Sequence, residues 1–565
     1  MGANMILIII IAVVVLIFAE GSLRDRRLKE AFRVKLKEDY GKISDKELSG
    51  DDISRISTYH KSMAEAYPER FFIDDITWND LAMDDIFRRM DRCMSSVGEE
   101  ELYHRLHCPV LKEDDDHSHF CRMSEYFDEN EEERIRVQEI LNDIGINRKT
   151  SITRVYDYVS VLKSDSNGRH YLMIVLVLIS IGMIFVVPGI GVILFLLFMF
   201  ISIGSYLKTK KEIEPLIVTF NYTARMVRAC ESLAGIGPSV LKEDLEQLAE
   251  YKEPLKGLMS KSVWISSSTV SMDNPVMLLL EYIKMIFHVD LIIINRLVDL
   301  LKKHVSDIDG IRRVLGGIDA SIACASYRRS LVRACTPEFT GTDKAVLSLE
   351  ECIHPLVSEP VPNSIDVSSP ILLTGSNASG KSTFLKTVAI SALLAQTVGY
   401  APCKKYRASR FKIYTSMALN DSIRNGESYF IVEIKSIKRI MDAPDDTPVL
   451  CCIDEVLRGT NTVERIAAST QILKSLIKPL SLPFAATHDI ELTRLLEGFY
   501  RNYHFEEEVS GNDVKFNYQL MTGSAKTRNA IKLLSVMDYD RTMISEAERM
   551  VEEFMNSGEW EEKPL

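Results

Sequence analysis

No C-x-x-C pair and no zinc-type cysteine–histidine spacing occurs among the ten cysteines of this 565-residue chain, which excludes a structural zinc module. Reduced thiols in a reducing compartment are the simplest expectation, and Cys451-Cys452 falls inside an apolar run that reads as a core strand. Positive charge is in deficit as well. There are 68 Lys and Arg against 80 Asp and Glu, a formal net charge of −12. That balance argues against a general polyanion binder and leaves open only a local basic face. Arg312-Arg313 and Arg328-Arg329 with Arg333 are the candidates, and they read first as solvated helix faces. None is interleaved with aromatic residues, so no platform for stacking single-stranded nucleic acid is visible. Internal repeats and low-complexity segments are missing too, and the composition is that of a folded protein.

Long hydrophobic runs are present. Met5 to Ala19 is uninterrupted, and Gly2, Ala3 and Asn4 extend it without charge. A signal peptide is the competing reading, but no Lys or Arg precedes the run and no small-x-small cleavage site is clear. Ile6 breaks the myristoylation pattern. Arg24, Arg26, Arg27 and Lys29 come next, so a membrane anchor is expected with the rest of the chain on the cytoplasmic side. A second run, Tyr171 to Leu207, carries no charge and is broken by Pro188-Gly189. Each half is just long enough to cross a bilayer. Arg169 on one side and Lys208, Lys210 and Lys211 on the other predict a transmembrane hairpin with both ends inside. A buried soluble hairpin is the alternative, disfavoured by so long a charge-free stretch. A third stretch, Val276 to Leu301, holds Glu281, Lys284, His288, Asp290 and Arg296, and its spaced charges predict one long amphipathic helix.

The chemistry lies further on. Gly375-Ser376-Asn377-Ala378-Ser379-Gly380-Lys381-Ser382 fits G-x-x-x-x-G-K-[ST], between the apolar run Ile371–Thr374 and a helical pattern from Thr383. In a strand–loop–helix setting, backbone N–H groups and the helix N-terminus converge on a polyphosphate. Lys381 is expected at the β- and γ-phosphates of ATP, and the Ser382 hydroxyl on Mg²⁺. Val449–Ile453 then reads as a buried strand ending in Asp454 and Glu455. Asp454 is the expected second Mg²⁺ ligand, and Glu455 the group that orients and activates the attacking water. His488 comes after another apolar run and is expected to sense the γ-phosphate and stabilise transferring charge. Loop, acid pair, then histidine is the order of ABC-type ATPases. The L-S-G-G-Q signature of transport ATPases is absent, and the apolar runs contain no ionisable residue, so a transporter is disfavoured.

Four motifs together resemble the ATPase domain of MutS proteins, the DNA mismatch-repair ATPases. The family writes T-G-P-N-M-G-G-K-S-T where this chain has T-G-S-N-A-S-G-K-S-T from Thr374 to Thr383. It writes D-D-L-x-x-G-x-S-T-F, matched by Asp421–Phe430; D-E-x-x-R-G-T-S-T, matched by Asp454–Thr462; and F-A-T-H-x-x-E-L, matched by Ala485–Leu492. The resemblance implies that Ser428 contacts nucleotide on the opposite subunit, that Arg458-Gly459-Thr460 lies at a dimer seam, and that His354-Pro355 with Val361-Pro362-Asn363 lies near the adenine. Ile76–Leu81, Ser95–Leu102 with Pro109, and Ile318–Ala323 resemble the family's helical core. The charged stretch ahead of Ile76 is expected to leave no room for mismatch-reading and connector domains.

The expected fold is multidomain: an all-α core and lever region with transmembrane helices, followed by an α/β ABC-type P-loop ATPase domain. The expected boundaries are an anchor at 1–20, a juxtamembrane arm at 21–75, a first core segment at 76–168, the hairpin at 169–208, lever and core helices at 209–344, the ATPase domain at 345–555 and a tail at 556–565. The nucleotide set is Gly375 through Thr383 with His354. The catalytic set is Lys381, Glu455 and His488; the metal set is Ser382 and Asp454; and the trans set is Ser428 and Arg458. The expected protein is a multi-pass cell-membrane ATPase using ATP and Mg²⁺, switching as a homodimer in contact with lipid. DNA is one expected partner class, as in mismatch repair or on branched or damaged DNA. The alternative is a nucleotide switch that binds a protein and no DNA.

Overall fold

Missing side chains let the helices of the first unit approach one another at backbone distance. A Cβ on Gly98 would lie 2.3 Å from Asp319 Oδ2, and one on Gly316 would lie 2.6 Å from the Val97 carbonyl. These glycines join α1 (Ser96–Leu106) to α5 (Val305–Ser330). Asp319 is buried in that crossing and accepts bonds from the Met94 and Ser95 amides and from the Ser95 hydroxyl, so it caps α1 from another helix.

The structure is a computed structural model. It describes residues 23–24, 26–148, 151, 153, 167–257, 282–341, 344–376, 379–417, 429–458, 460–510, 513–525, 531, 534 and 539–557. The expected anchor at 1–20 lies outside the described residues. The chain divides into two units: 1–66 with 89–104 and 119–330, and 67–88 with 105–118 and 331–565.

The first unit is helical throughout its described regular elements. Among the described residues two helices are long and apolar enough to cross a membrane: α2 (Gly168–Val186) with mean hydropathy 2.1, and the first 24 residues of α3 (Pro188–Ile236) with mean hydropathy 2.4. At 1.5 Å per residue α2 is about 28 Å long, the thickness of a hydrocarbon core. The turn falls at Val187 and Pro188, where proline fits the first helical position. Gly191 lets the second arm leave the turn closely, since a Cβ there would meet Ile184 N at 2.3 Å. Outward apolar side chains such as Phe185 (85% exposed) and Phe200 (69%) cover both arms. Beyond Lys211, α3 continues unbroken to Ile236, so one rod of about 74 Å joins the apolar stretch to the helical core. Tyr222 on that rod is buried in the core and accepts from the Val97 amide at 3.2 Å.

The third apolar stretch departs from expectation. Within its described part, residues 282–287 are helical, His288 turns at φ +49°, and a new helix α4 (Val289–Lys303) begins. The physical reason is a set of polar partners that hold His288 from two other segments, His170 and Ser202 among them.

The second unit contains β1 (Glu338–Phe339), β2 (Leu347–Cys352), β3 (Asn363–Val367), β4 (Ile371–Thr374), β5 (Lys405–Ala408), β6 (Lys412–Ser416), β7 (Val449–Asp454), β8 (Ser481–Ala486), β9 (Arg501–His504), β10 (Glu507–Ser510), β11 (Asp513–Phe516) and β12 (Met521–Thr522). The principal sheet has the order β12-β9-β4-β8-β7-β6, parallel except at β12. A second sheet has the order β1-β5-β2-β3, and β10 pairs antiparallel with β11. Strands β4, β7 and β8 are buried along nearly their whole length, as befits a parallel sheet covered on both faces. Helix α6 (Lys381–Thr397) comes after β4 and is buried almost all round.

Residues 67–88 belong to this unit, although the sequence places most of them in the first core segment. The helix Asp75–Asp80 covers the outer edge of β6. The Thr415 amide donates to Thr77 Oγ1 at 3.2 Å, and Asp80 accepts from Thr415 Oγ1 at 2.7 Å and from the Met417 amide at 3.0 Å. Those bonds occupy donors that an open edge strand would expose.

Candidate functional site

Strand register builds the site. Ile453 pairs with Ala485, Asp454 with Ala486, and Leu373 with Ala486, so the C-terminal ends of β4, β7 and β8 finish level. The segments leaving those ends carry the glycine loop, the acid pair and the histidine. Ligands of open α/β sheets sit at this edge. A cavity of about 820 Å³ opens there, lined by Lys381, Ser382, Asp454, Glu455, Arg458 and His488 among others.

The loop needs its glycines. Gly375 has φ +143° and a Cβ there would sit 2.7 Å from the Phe505 carbonyl; Gly380 has φ +109° and a Cβ there would press on the Tyr518 ring at 3.2 Å. Between them the Ser379 hydroxyl is buried with no hydrogen-bond partner. Asn377 and Ala378 lie outside the described residues. Lys381, 5% exposed, donates to the Gly375 carbonyl at 2.9 Å and to the Ser376 carbonyl at 2.7 Å. Its ammonium is thus held against the loop's first two carbonyls. Thr383, further along α6, is exposed and also lines the cavity.

Opposite the loop, the Ser382 hydroxyl donates to Asp454 Oδ2 at 2.5 Å. Glu455 adopts φ +65°, a conformation that costs a non-glycine residue energy and recurs at working sites. One of its oxygens lies 2.6 Å from His488 Nε2, the other 2.8 Å from Arg458 Nε. Burial pushes this carboxyl up, but His488, Arg458 and Lys381 outweigh it and hold Glu455 below the ordinary carboxylate range. It is ionised at neutral pH.

Arg458 was expected at a subunit seam. In this chain it reaches back to its own acid pair, donating to the Asp454 carbonyl at 2.8 Å as well as to Glu455. Glu433 fixes the turn that carries it, accepting from the Leu457 amide at 2.7 Å. His354 lies at the cavity wall, its Nδ1 accepting from the Leu356 amide at 3.2 Å. Ser428 lies outside the described residues.

Three contributors were not singled out in the sequence. Arg465 on α7 (Thr462–Ser475) grips Asp489 through bonds of 2.9 and 2.6 Å and so anchors the residue after His488. Tyr518, at φ +52°, and Phe505 lie over the glycine loop. Arg465 stands just past the Asp454–Thr462 motif, where one arginine on a helix gives no local signal of its own. The two rings owe their positions to the chain on either side of the β10–β11 pair, which no short pattern encodes.

The family model for MutS domain V matches residues 371–555. The chain is similar to the DNA mismatch repair protein MutS of Thermus aquaticus, 29% identical over 248 residues, 42% of this chain and 30% of that protein. It is also similar to MutS protein homolog 4 of Mus musculus, 28% identical over 44% of this chain and 27% of the relative, and of Homo sapiens, 27% identical over 48% and 30%. The matches thus span less than a third of these relatives' own length. Residues 371–555, all in the second unit, are thus similar to a MutS domain, and the likeness to whole MutS proteins covers less than half of this chain.

Proposed function

We propose that the protein is a membrane-anchored ATPase in which two copies close and open around Mg·ATP. The observation that carries this reading is the register that sets Lys381 and Ser382 against Asp454, Glu455 and His488 around one cavity. The residues suit the ligand. Gly375 and Gly380 hold positive φ angles that a side chain would strain, the buried Ser379 hydroxyl has a bond to give, and a hydroxyl beside a carboxylate is the oxygen set that Mg²⁺ takes.

In this mechanism Gly375 to Thr383 bind the phosphates through backbone N–H groups, with Lys381 moving from its loop carbonyls to the β- and γ-oxygens. Ser382 and Asp454 hold Mg²⁺, which when bound neutralises charge on the phosphate oxygens. Glu455 accepts a proton from the attacking water, and its contact with His488 Nε2 aims the imidazole at the same place. His488 stabilises charge at the γ-phosphate. His354 and Tyr518 border the base end of the cavity. Ser428 and Arg458 act across the dimer, Arg458 by exchanging its own acid pair for the partner's nucleotide. The hairpin spans the bilayer with its basic ends in the cytoplasm, and α3 transmits closure of the dimer along its length.

A relative named for DNA mismatch repair favours DNA as a partner. The net charge of −12 favours a protein partner instead. Salt-dependent binding of branched and duplex DNA separates the two, because each phosphate contact steepens the salt slope. The nucleotide reading is tested by phosphate release from Mg·ATP with the full chain in detergent. Release above the Lys381→Ala background supports it, and release equal to that background refutes it.

A further inference from the structure

His288 sits at a backbone angle that persists only where surroundings over-determine it. Those surroundings are polar and join three segments of the helical unit. His288 is fully buried, with Nδ1 2.8 Å from Nδ1 of His170 at the base of α2. Its Nε2 lies 3.0 Å from the Ser202 carbonyl and 3.1 Å from the Ser202 hydroxyl on α3. Just beyond, Tyr206 of α3 donates at 2.6 Å to Asp290, which is also buried. Along the same seam Asn295 donates to Asn167 at 2.9 Å, and Arg296 donates to Tyr171 Oη at 2.8 Å. Ionisable groups absent from the apolar runs are thus brought to them by α4.

The bonding pattern places the hydrogens. The Ser202 hydroxyl gives its proton to the Ile286 carbonyl at 2.8 Å, so toward His288 it accepts, as the Ser202 carbonyl must. Nε2 of His288 therefore carries the hydrogen, its Nδ1 carries none while the ring is neutral, and His170 Nδ1–H is the donor between the rings. One proton can be added without loss of that bond. It sits on His170 Nε2 with His170 Nδ1–H still the donor, or on His288 Nδ1 once His170 has moved its own hydrogen to Nε2. A second proton turns both Nδ1 atoms into donors facing one another, and the contact must open.

We propose that the His170–His288 pair, with the Asp290 carboxyl beside it, is a proton-binding site that latches α4 to the apolar hairpin and releases it when both rings are charged. Charged groups bear on it from each packed segment: Arg169 from the start of α2, Lys210 from α3, Lys284 from residues 282–287, and Asp290 from α4. Burial, the largest influence, holds His288 below the ordinary imidazole value, so that its charging needs acid; the Ser202 carbonyl and Asp290 oppose this, and Arg169 reinforces it. The site belongs to the helical unit and does not depend on the ATPase reading.

Hydrogen–deuterium exchange of the full chain in lipid nanodiscs, corrected for the intrinsic pH effect, reads the latch directly. From about pH 7.5 to about pH 5, exchange in residues 282–303 is expected to rise at least about tenfold while α5 stays protected. His170→Gln keeps a donor for His288 but does not titrate, and His288→Asn suits the positive φ, so each is expected to remove the rise. A flat wild-type profile overturns the proposal, as does an undiminished rise in a folded variant. Should both variants unfold, visible as global loss of protection, the wild-type titration decides alone.

Discussion

Glu455 Oε1 lies 2.6 Å from His488 Nε2. The contact links residues just beyond the ends of two neighbouring strands, β7 and β8, which finish level at Asp454 and Ala486. It keeps the carboxylate ionised, as a base for water must be, and fixes the imidazole's direction. Arg458 on the second carboxylate oxygen completes a clamp, so within this chain the acid is fully engaged. In the proposed mechanism, use of Glu455 as a base requires that clamp to loosen, as it would if Arg458 moved toward a partner's nucleotide.

Lys381→Ala is expected to remove the response to nucleotide while leaving the fold intact. For the wild type, Mg·ATP at about a hundred times its dissociation constant stabilises by about 2.7 kcal/mol through mass action, and melting in detergent shifts upward. The variant's melting temperature is expected not to move. An equal shift in both proteins removes Lys381 from the site.

Ser428→Ala and Lys381→Ala are expected to be inactive separately and partly active when mixed. Each homodimer lacks one half of every site, whereas the mixed dimer keeps one complete site. Hydrolysis in a titration of one variant into the other checks this. Activity that never rises above either parent contradicts a site shared between copies.

Gly98→Ala tests the helical crossing rather than the chemistry. The added methyl meets the Asp319 carboxylate at 2.3 Å, and the buried Asp319 cannot move without giving up its bonds to Met94 and Ser95. Overpacking of this kind costs about 1–3 kcal/mol, read as a lower melting temperature of the full chain. Gly50→Ala, where nothing lies within 4 Å, is the control expected to be silent.

Much of this organisation is legible in the sequence because it is local. The apolar hairpin announces itself by length and lack of charge, and the α/β region by short apolar runs alternating with helical patterns. The glycine loop, acid pair and histidine are contiguous words whose chemistry comes from residue type. What stays hidden depends on partners far away in the chain. Val276 to Leu301 reads as one amphipathic helix, because nothing nearby shows that His288 meets His170 and Ser202. Thr77 and Asp80 look like core-helix residues, yet their partners are Thr415 on an edge strand and Met417 just past its end. Arg458 is seen in a motif, but its hold on its own Glu455 appears only in three dimensions.

Acid is expected to weaken the helical unit through His60. Burial first, and Lys61 second, hold that imidazole down to about 4 from 6.5. A depressed histidine contributes stability that is present above about 6.5 and is lost as pH falls toward 4, because the unfolded chain takes the proton first. By about pH 5 the loss reaches about 2 kcal/mol. Glu99, pushed up to about 7, and Asp319, pushed up to about 6, both chiefly by burial, act in the opposite sense across the same window. The difference between wild type and His60→Asn isolates the histidine. Melting temperature against pH is expected to fall less steeply for the variant, and parallel curves exclude His60.

Single-turnover hydrolysis of Mg·ATP by the full chain, wild type against Glu455→Gln, tests the central claim most directly. The account predicts that both proteins bind Mg·ATP with similar affinity and that the variant cleaves it at least about a hundredfold more slowly, as expected for loss of a general base. Cleavage by Glu455→Gln at the wild-type rate, or no cleavage by the wild type at all, contradicts it.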